Sequence, residues 1–395
     1  MIPIICRKPC RQNLTTSLGE QREKPAGSLQ NYCRGEIMET RVQQPIFVVG
    51  VPRSGTTLLQ SLLSASPDAY SLPETHFFES ILPQLSKEAS ETLSEKDLEQ
   101  ALSLLKLYMG LDLPEKKRLA LGAETKNGLL TGKTLFDFVL EWYRPASDQT
   151  KELRVIEKTP LHVECMEEIL TLYPTAIFVH IVRDPRNTIS SLLDAPFAPT
   201  QWLLWYTQYW NFALGVARQL EISRPKSICT IQYEHLVDDP RLMLRKVCKF
   251  LNLPYSPNMV HEAAIEAQKN ILDRESWKKG NLDAEIRQNS SVWCTRLTQA
   301  EGWLIEKLTQ SGMRRYNYRS EAGGTNSDRL KVLWENLRRP RYDKDAVSLG
   351  KYLASRCIKL KERACARVLL SIILMNKWGI LRHSDSRRLA KETFL

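Results

Sequence analysis

Nothing in these 395 residues stays apolar for long enough to cross a bilayer. The longest apolar run, Val368 to Met375, is broken by Ser371 and falls far short of the ~20 residues that a span needs. The N-terminal MIPIICRKPCRQ carries too short an apolar stretch, with its charge on the wrong side, for a secretory leader. The nine cysteines (6, 10, 33, 165, 229, 248, 294, 357 and 365) are odd in number and form no C-x-x-C pair. They share no zinc-ligand spacing with the six histidines. A disulfide scaffold and a zinc module are thereby excluded, and a reduced, cytoplasmic protein is expected. No metal site is expected, and no internal repeat is present.

Charge is abundant but unevenly placed. The net charge is +11, with +3 in residues 1–44 and +12 in residues 314–395, which leaves −4 for the body between them. A basic body of the kind that binds nucleic acid is therefore absent. The basic tail suits peripheral contact with membrane headgroups or an acidic partner, and equally suits solvated helix faces. Hydrophobic content of 43% and charged content of 26% fit one large globular α/β domain with an extension.

What is present is concentrated in residues 46–63, IFVVGVPRSGTTLLQSLL. Ile46 to Gly50 reads as a short buried strand. A loop of Pro, Arg, Ser, Gly and Thr follows, and then a helix start. Such a junction aims backbone N–H groups and a helix dipole at an anion. Gly50 and Gly55 have the spacing of a nucleotide-binding P-loop, but the next position is Thr56, where that loop carries lysine. The positive charge stands inside the loop, at Arg53. A loop so built holds phosphate but is ill suited to polarising a β–γ bond with magnesium.

Strand candidates are 46–50, 153–156, 176–182 and 227–233, rich in Ile and Val as buried parallel strands are. Helical patterns cover 55–65, 132–144, 161–172, 186–194, 200–223, 240–251, 257–270 and 298–312. The alternation predicts an α/β fold: a P-loop NTPase-like parallel sheet flanked by helices, with a C-terminal helical extension. The chain divides into a disordered segment 1–44, a domain 45–318, a linker 319–328 and a basic helical extension 329–395. Met38 is a candidate translation start.

Ligands of such sheets gather at the carboxyl ends of the strands. There the sequence places Glu157-Lys158-Thr159-Pro160, then Arg183-Asp184-Pro185-Arg186, then Tyr233-Glu234. Lys158 and Arg183 thus join Arg53 at one edge, which fits a ligand with several anionic groups. Glu74, in Pro73-Glu74-Thr75-His76-Phe77-Phe78, reads either as a proton acceptor near the loop or as an acid at the N-terminus of a helix over 76–82.

Five segments, GVPRSGTTLL (50–59), PETHFF (73–78), EKTP (157–160), FVHIVRDPRNTISSLL (178–193) and YEHLVDDP (233–240), resemble in order and spacing the sulfotransferases that use 3′-phosphoadenosine-5′-phosphosulfate (PAPS). The likeness is to the bacterial and tyrosylprotein branch and covers about residues 45–318. It implies a P-loop-type α/β domain and PAPS as donor. It further implies that Arg53, Ser54, Gly55, Thr56 and Thr57 hold the 5′-phosphosulfate. Arg183 and Ser191 would hold the 3′-phosphate, and Tyr233 would line the same site. The resemblance makes Glu74 the general base and places Lys158 beside the leaving oxygen. The cytosolic branch has a histidine base where this chain has Pro160; His162 lies near but out of register. Ser290 and Ser291 are a loose match to a late cofactor contact.

The expected reaction is in-line transfer of a sulfuryl group to an acceptor hydroxyl or amine. A P-loop small-molecule kinase and a non-catalytic nucleotide-binding module are the alternatives. The aromatic run Trp202, Trp205, Tyr206, Tyr209, Trp210 suits core packing better than an acceptor pocket, and residues 80–131 are the candidate acceptor wall. The acceptor and the oligomeric state are left open by the sequence.

Overall fold

The computed structural model describes residues 44–85, 89–145, 152–195, 203–270 and 292–338. Along the chain lie β1 (Ile46–Gly50), α1 (Thr56–Ser64), β2 (Ala69–Ser71), α2 (Glu95–Met109), α3 (Glu115–Lys126), α4 (Gly132–Trp142), β3 (Arg154–Glu157), α5 (Met166–Leu172), β4 (Ile177–Val182), α6 (Pro185–Leu193), α7 (Leu203–Ser223), β5 (Ile228–Gln232), α8 (Tyr233–Asp238), α9 (Pro240–Leu251), α10 (Met259–Asn270), α11 (Gln299–Arg315) and α12 (Asn326–Arg338).

The five strands form one sheet in the order β2-β3-β1-β4-β5, every pairing parallel. β1 lies at its centre because Ile46, Phe47, Val48 and Val49 are apolar on both faces and wholly buried. Phe47 and Val49 face the larger core, with α4, α7 and α11. Ile46 and Val48 face the smaller one, with α1, α9 and α10. α9 shows why such helices dock: Met243, Leu244, Val247, Cys248 and Leu251 fall on one stripe at the 3.6-residue period. The stripe of α7 runs through Tyr206, Tyr209, Trp210, Ala213, Ala217 and Leu220, so most of its aromatic run is core, with Trp205 partly buried at the edge. Trp202 lies outside the described residues.

The sheet and its central helices lie where the sequence puts them. Three details differ. β2 is an added edge strand of three residues, too short to show periodicity. The stretch 80–131 contains α2 and α3, and α2 opens with a capping box between Ser94 and Asp97. The helix expected over 76–82 is a π-type turn over Phe77–Ile81, closed by Ile81 N–H donating to the His76 carbonyl at 3.0 Å.

After α11 the chain folds back onto the domain. Glu306 on α11 accepts from Arg186 on α6 at 2.6 Å and from the backbone N–H groups of Glu321 and Ala322, each at 2.9 Å. The Arg186 guanidinium also binds Asp184 and lies 5.0 Å from the Trp293 ring centroid. The segment expected as a linker, 319–328, is thus docked at its start, and α12 begins within it, packing Val332 and Leu333 on the larger core. The N-terminal segment and most of the basic extension lie outside the described residues, as do Ser290 and Ser291. Among the described residues no helix is long and apolar enough to cross a membrane.

Gly50 is where the strand must turn under its neighbour. Its φ is +155°, and a Cβ there would stand 2.6 Å from the Ile181 carbonyl oxygen of β4. That oxygen belongs to the sheet ladder and has nowhere to go. Gly50→Ala is expected to cost about 1–3 kcal/mol in denaturant unfolding. The control, Gly122→Ala in α3, meets open space and is expected to be neutral or to stabilise by up to about 1 kcal/mol.

Candidate active site

The loop from β1 to α1 puts two residues in the left-handed region, Arg53 at φ 72° and Gly55 at φ 102°, and Ser54 N–H closes a turn on the Val51 carbonyl at 3.1 Å. For Arg53 this conformation is strained. No side chain caps the N-terminus of α1, so its first N–H groups stay available to an anion. Ser54 Oγ is buried and has no hydrogen-bond partner among the described residues. Thr56 is buried and Thr57 half-buried in the first turn of α1.

Around this loop the carboxyl ends of β4 and β5 converge. Arg183 donates to the Arg53 carbonyl at 3.1 Å, and its guanidinium lies 4.3 Å from the centroid of the Tyr233 ring. Tyr233 opens α8 rather than ending β5, which turns its ring against Gly55, where any Cβ would strike it. Arg53 Nε donates to Ser191 Oγ on α6 at 3.0 Å. Burial, and then the charges of Arg183 and Arg296, pull the Arg53 pKa below its ordinary value, against the opposing pull of Glu74. Arg183 Nε is a second buried donor without a partner among the described residues. Two orphaned donors within a crowd of guanidinium groups suit a ligand carrying more than one anionic group.

At the end of β3, Lys158 is nearly inaccessible. Its Nζ donates to Glu74 Oε1 and lies 3.5 Å from Thr57 Oγ1. Lys158 therefore stands between the anion loop and the acid, with Glu74 side-chain exposure at 13%. Glu74 is not a helix cap; the residue entering the π-type turn is His76, at φ 51°. The ten residues singled out in the sequence, Arg53 to Thr57, Glu74, Lys158, Arg183, Ser191 and Tyr233, thus occupy one edge of the sheet.

Behind Glu74 runs a chain of groups that sequence reasoning missed. His76 Nε2 lies 3.4 Å from Glu74 Oε2, and its Nδ1 lies 2.6 Å from Glu79 Oε1. The other oxygen of Glu79 is 2.9 Å from Nε2 of His162, whose Nδ1 is 2.9 Å from Glu157. Glu157 also accepts from the hydroxyls of Thr75 at 2.9 Å and Thr159 at 2.6 Å. Thr159 Oγ1 accepts in turn from Thr75 N–H at 3.0 Å. His162 is completely buried, with a carboxylate at each ring nitrogen, and so is closed to an acceptor. The signals were His76 and Glu79 three apart and Glu157 and His162 five apart, spacings that mean nothing until the turns are known.

Burial alone would favour neutral imidazoles here. Glu157 and Glu79 outweigh it at His162, raising its pKa to about 10. Glu79 and Glu74 outweigh it at His76, raising that to about 9. Burial would likewise raise Glu79, but His162 and His76 hold it down at about 2. The same logic lowers Glu157, whose burial is outweighed by His162 and the two threonine hydroxyls. Among the described residues no group of His, Cys, Asp and Glu is arranged to hold a metal ion.

Both histidines bind protons more tightly folded than unfolded, where their ordinary pKa is about 6.5. The stabilisation they give is complete below that value and is lost as pH rises through about 9 and about 10. Unfolding free energy is therefore expected to fall between about pH 7 and pH 10. Denaturant titrations across that range check this. His162→Gln is expected to be less stable than wild type at neutral pH and to show a flatter decline.

Residues 45–257 match the profile described as the sulfotransferase family. The Drosophila melanogaster protein-tyrosine sulfotransferase is 30% identical over 222 residues, covering 55% of this chain and 39% of its own length. Protein-tyrosine sulfotransferase A of Caenorhabditis elegans is 26% identical over 254 residues, 61% of this chain and 60% of its own. The chain thus spans less than two thirds of either relative. Among solved structures, the sulfotransferase domain from the curacin biosynthetic pathway aligns over 71% of this chain and 100% of its own, at 19% identity and a TM-score of 0.47. Because the profile match takes in more than half of its length, the chain belongs to the sulfotransferase family.

Proposed function

We propose that the protein transfers a sulfuryl group from PAPS to an acceptor hydroxyl. The observation that carries this reading is the placement of Lys158 between Thr57 of the anion loop and the carboxylate of Glu74. A cation and a base share one small space beside a phosphate cradle. Bound PAPS would supply a sulfuryl group already activated by its phosphate leaving group.

The chain's own residues then divide the work. The loop amides, Ser54, Thr56, Thr57 and Arg53 hold the 5′ end and stabilise charge on the equatorial oxygens. Arg183 and Ser191 hold the 3′-phosphate, with Tyr233 fixing the Arg183 guanidinium by its ring. Glu74 accepts the proton of the acceptor hydroxyl as its oxygen bonds to sulfur. Lys158 neutralises the oxygen from which sulfur departs. The bond Arg53 makes to Ser191 joins the two phosphate subsites through one guanidinium.

The kinase reading is not favoured, because Thr56 stands where the P-loop lysine would reach the terminal phosphates. A purely binding module has no use for a nearly buried Glu74–Lys158 pair, which costs desolvation. The names of the relatives support a hydroxyl acceptor, a phenol among them. The thiols of Cys229, Cys248 and Cys294, which form no disulfide among the described residues, support a reducing, cytoplasmic setting, which localisation of the full chain in cells tests.

Glu74→Gln still accepts a hydrogen bond from Lys158 but takes no proton. With PAPS and a panel of phenols and alcohols, turnover is expected to fall roughly 10²–10⁴-fold while PAP, the desulfated product, binds about as before. Turnover near the wild-type value removes Glu74 from the base role.

Arg183→Ala is expected to weaken PAP by roughly 1.5–3 kcal/mol, about 10- to 150-fold. Adenosine 5′-phosphosulfate, which lacks the 3′-phosphate, should be affected much less. Calorimetry with both ligands distinguishes this from the structural role suggested by the Arg183 contacts to Arg53 and Tyr233, under which both weaken alike.

A further inference from the structure

Each oxygen of Glu74 has a cationic neighbour. Lys158 holds Oε1, and His76 lies 3.4 Å from Oε2. Under the proposed function, on which this inference rests, Lys158 has a second obligation. It must follow the charge that develops on the leaving phosphate, and Thr57 Oγ1 at 3.5 Å already marks that direction. A ligand phosphate that draws the ammonium away takes the cation from Oε1 at the moment the base is needed. A nearly buried carboxylate stripped of counter-charge picks up a proton from solvent and ceases to be a base.

His76 is built to prevent this. Carboxylate oxygens lie at both of its ring nitrogens, Glu79 at 2.6 Å and Glu74 at 3.4 Å. A neutral imidazole would turn a lone pair toward one of them, whereas an imidazolium donates to both. Glu79 stays put because His162, fixed by Glu157, holds its other oxygen. Tyr108 of α2 also lies against the ring, with centroids 5.1 Å apart. The groups facing His76 are therefore Glu74 and Glu79 on its own segment and Tyr108 across from it. Lys158 bonds the opposite oxygen of the same carboxylate.

We propose that His76 is the positioning residue that keeps Glu74 ionised and in place once a bound donor has drawn Lys158 toward its leaving phosphate. Lys158 serves the departing oxygen, and His76 serves the base. The imidazolium is kept charged well above neutrality by the Glu79 and Glu74 carboxylates, which outweigh its burial.

The test uses the full chain saturated with PAP, so that phosphate engages Lys158 without any acceptor being needed. Nuclear magnetic resonance of glutamate labelled at Cδ follows Glu74, assigned by the signal lost in Glu74→Gln. His76→Gln is expected to raise the pH at which Glu74 takes up a proton by about one unit or more in the PAP complex. His76→Arg, a permanent cation, is expected to restore the wild-type midpoint. An unchanged midpoint in His76→Gln overturns the proposal. So does a rise that arginine does not reverse, which marks the histidine as merely structural. Ring-nitrogen shifts of His76 in the wild-type PAP complex decide independently of any variant: both nitrogens protonated at pH 7 support the proposal, and a neutral ring overturns it. Failure of the wild-type chain to bind PAP refutes the donor assignment instead, and is seen before any of these spectra are recorded.

Discussion

The carboxylate of Glu157 is wholly buried at the end of β3, and the architecture of the site follows from the need to compensate it. A charge left unpaired at such depth costs several kcal/mol. Here it is met by His162 and by the hydroxyls of Thr75 and Thr159. Thr75 belongs to the segment that carries Glu74 and His76, and that segment makes no ladder with the sheet. The buried charge thus helps, with Lys158, to tie the candidate base to the sheet. The aromatic packing beneath has the same centre, since Phe47 and Phe78 both lie edge-on to the His162 ring.

The two halves of the site are electrostatic opposites. From Glu157 through His162, Glu79, His76 and Glu74 to Lys158, carboxylates and cations alternate, so this half is balanced and rigid. The anion loop is not balanced. Arg53 is crowded by Arg183 and Arg296, its backbone is held in the left-handed region, and two buried donors beside it have no partner among the described residues. Charge is compensated around the proposed base and left in excess around the proposed phosphate cradle, as pre-organised electrostatic sites spend stability on function.

Much of this was legible in the sequence because parallel sheets impose a rule: functional groups collect at strand carboxyl ends. Lys158, Arg183 and Tyr233 could be named from strand periodicity alone. What escaped had no periodic signature. Ala69–Ser71 is too short to show an alternation. The π-type turn at Phe77–Ile81 departs from the 3.6-residue period, so the His76–Glu79 contact could not be read as a helix-face pair. His162 sits in a 3-10 turn over Pro160–Cys165, where position in sequence says little about direction in space. Its burial between two carboxylates is a tertiary fact, invisible from the residues on either side.

The Glu306 carboxylate has a consequence for what counts as a unit in this protein. The profile match ends at residue 257, yet Arg186 on α6 draws counter-charge from Glu306 as well as from Asp184, and Glu306 also accepts from the backbone of Glu321 and Ala322. The same α6 carries Ser191, the partner of Arg53. Elements beyond the profile match therefore brace the helix whose Ser191 meets Arg53. The profile match and the contacts around the site do not share a boundary here: a chain cut at residue 257 would keep every motif and lose the support behind one wall of the site.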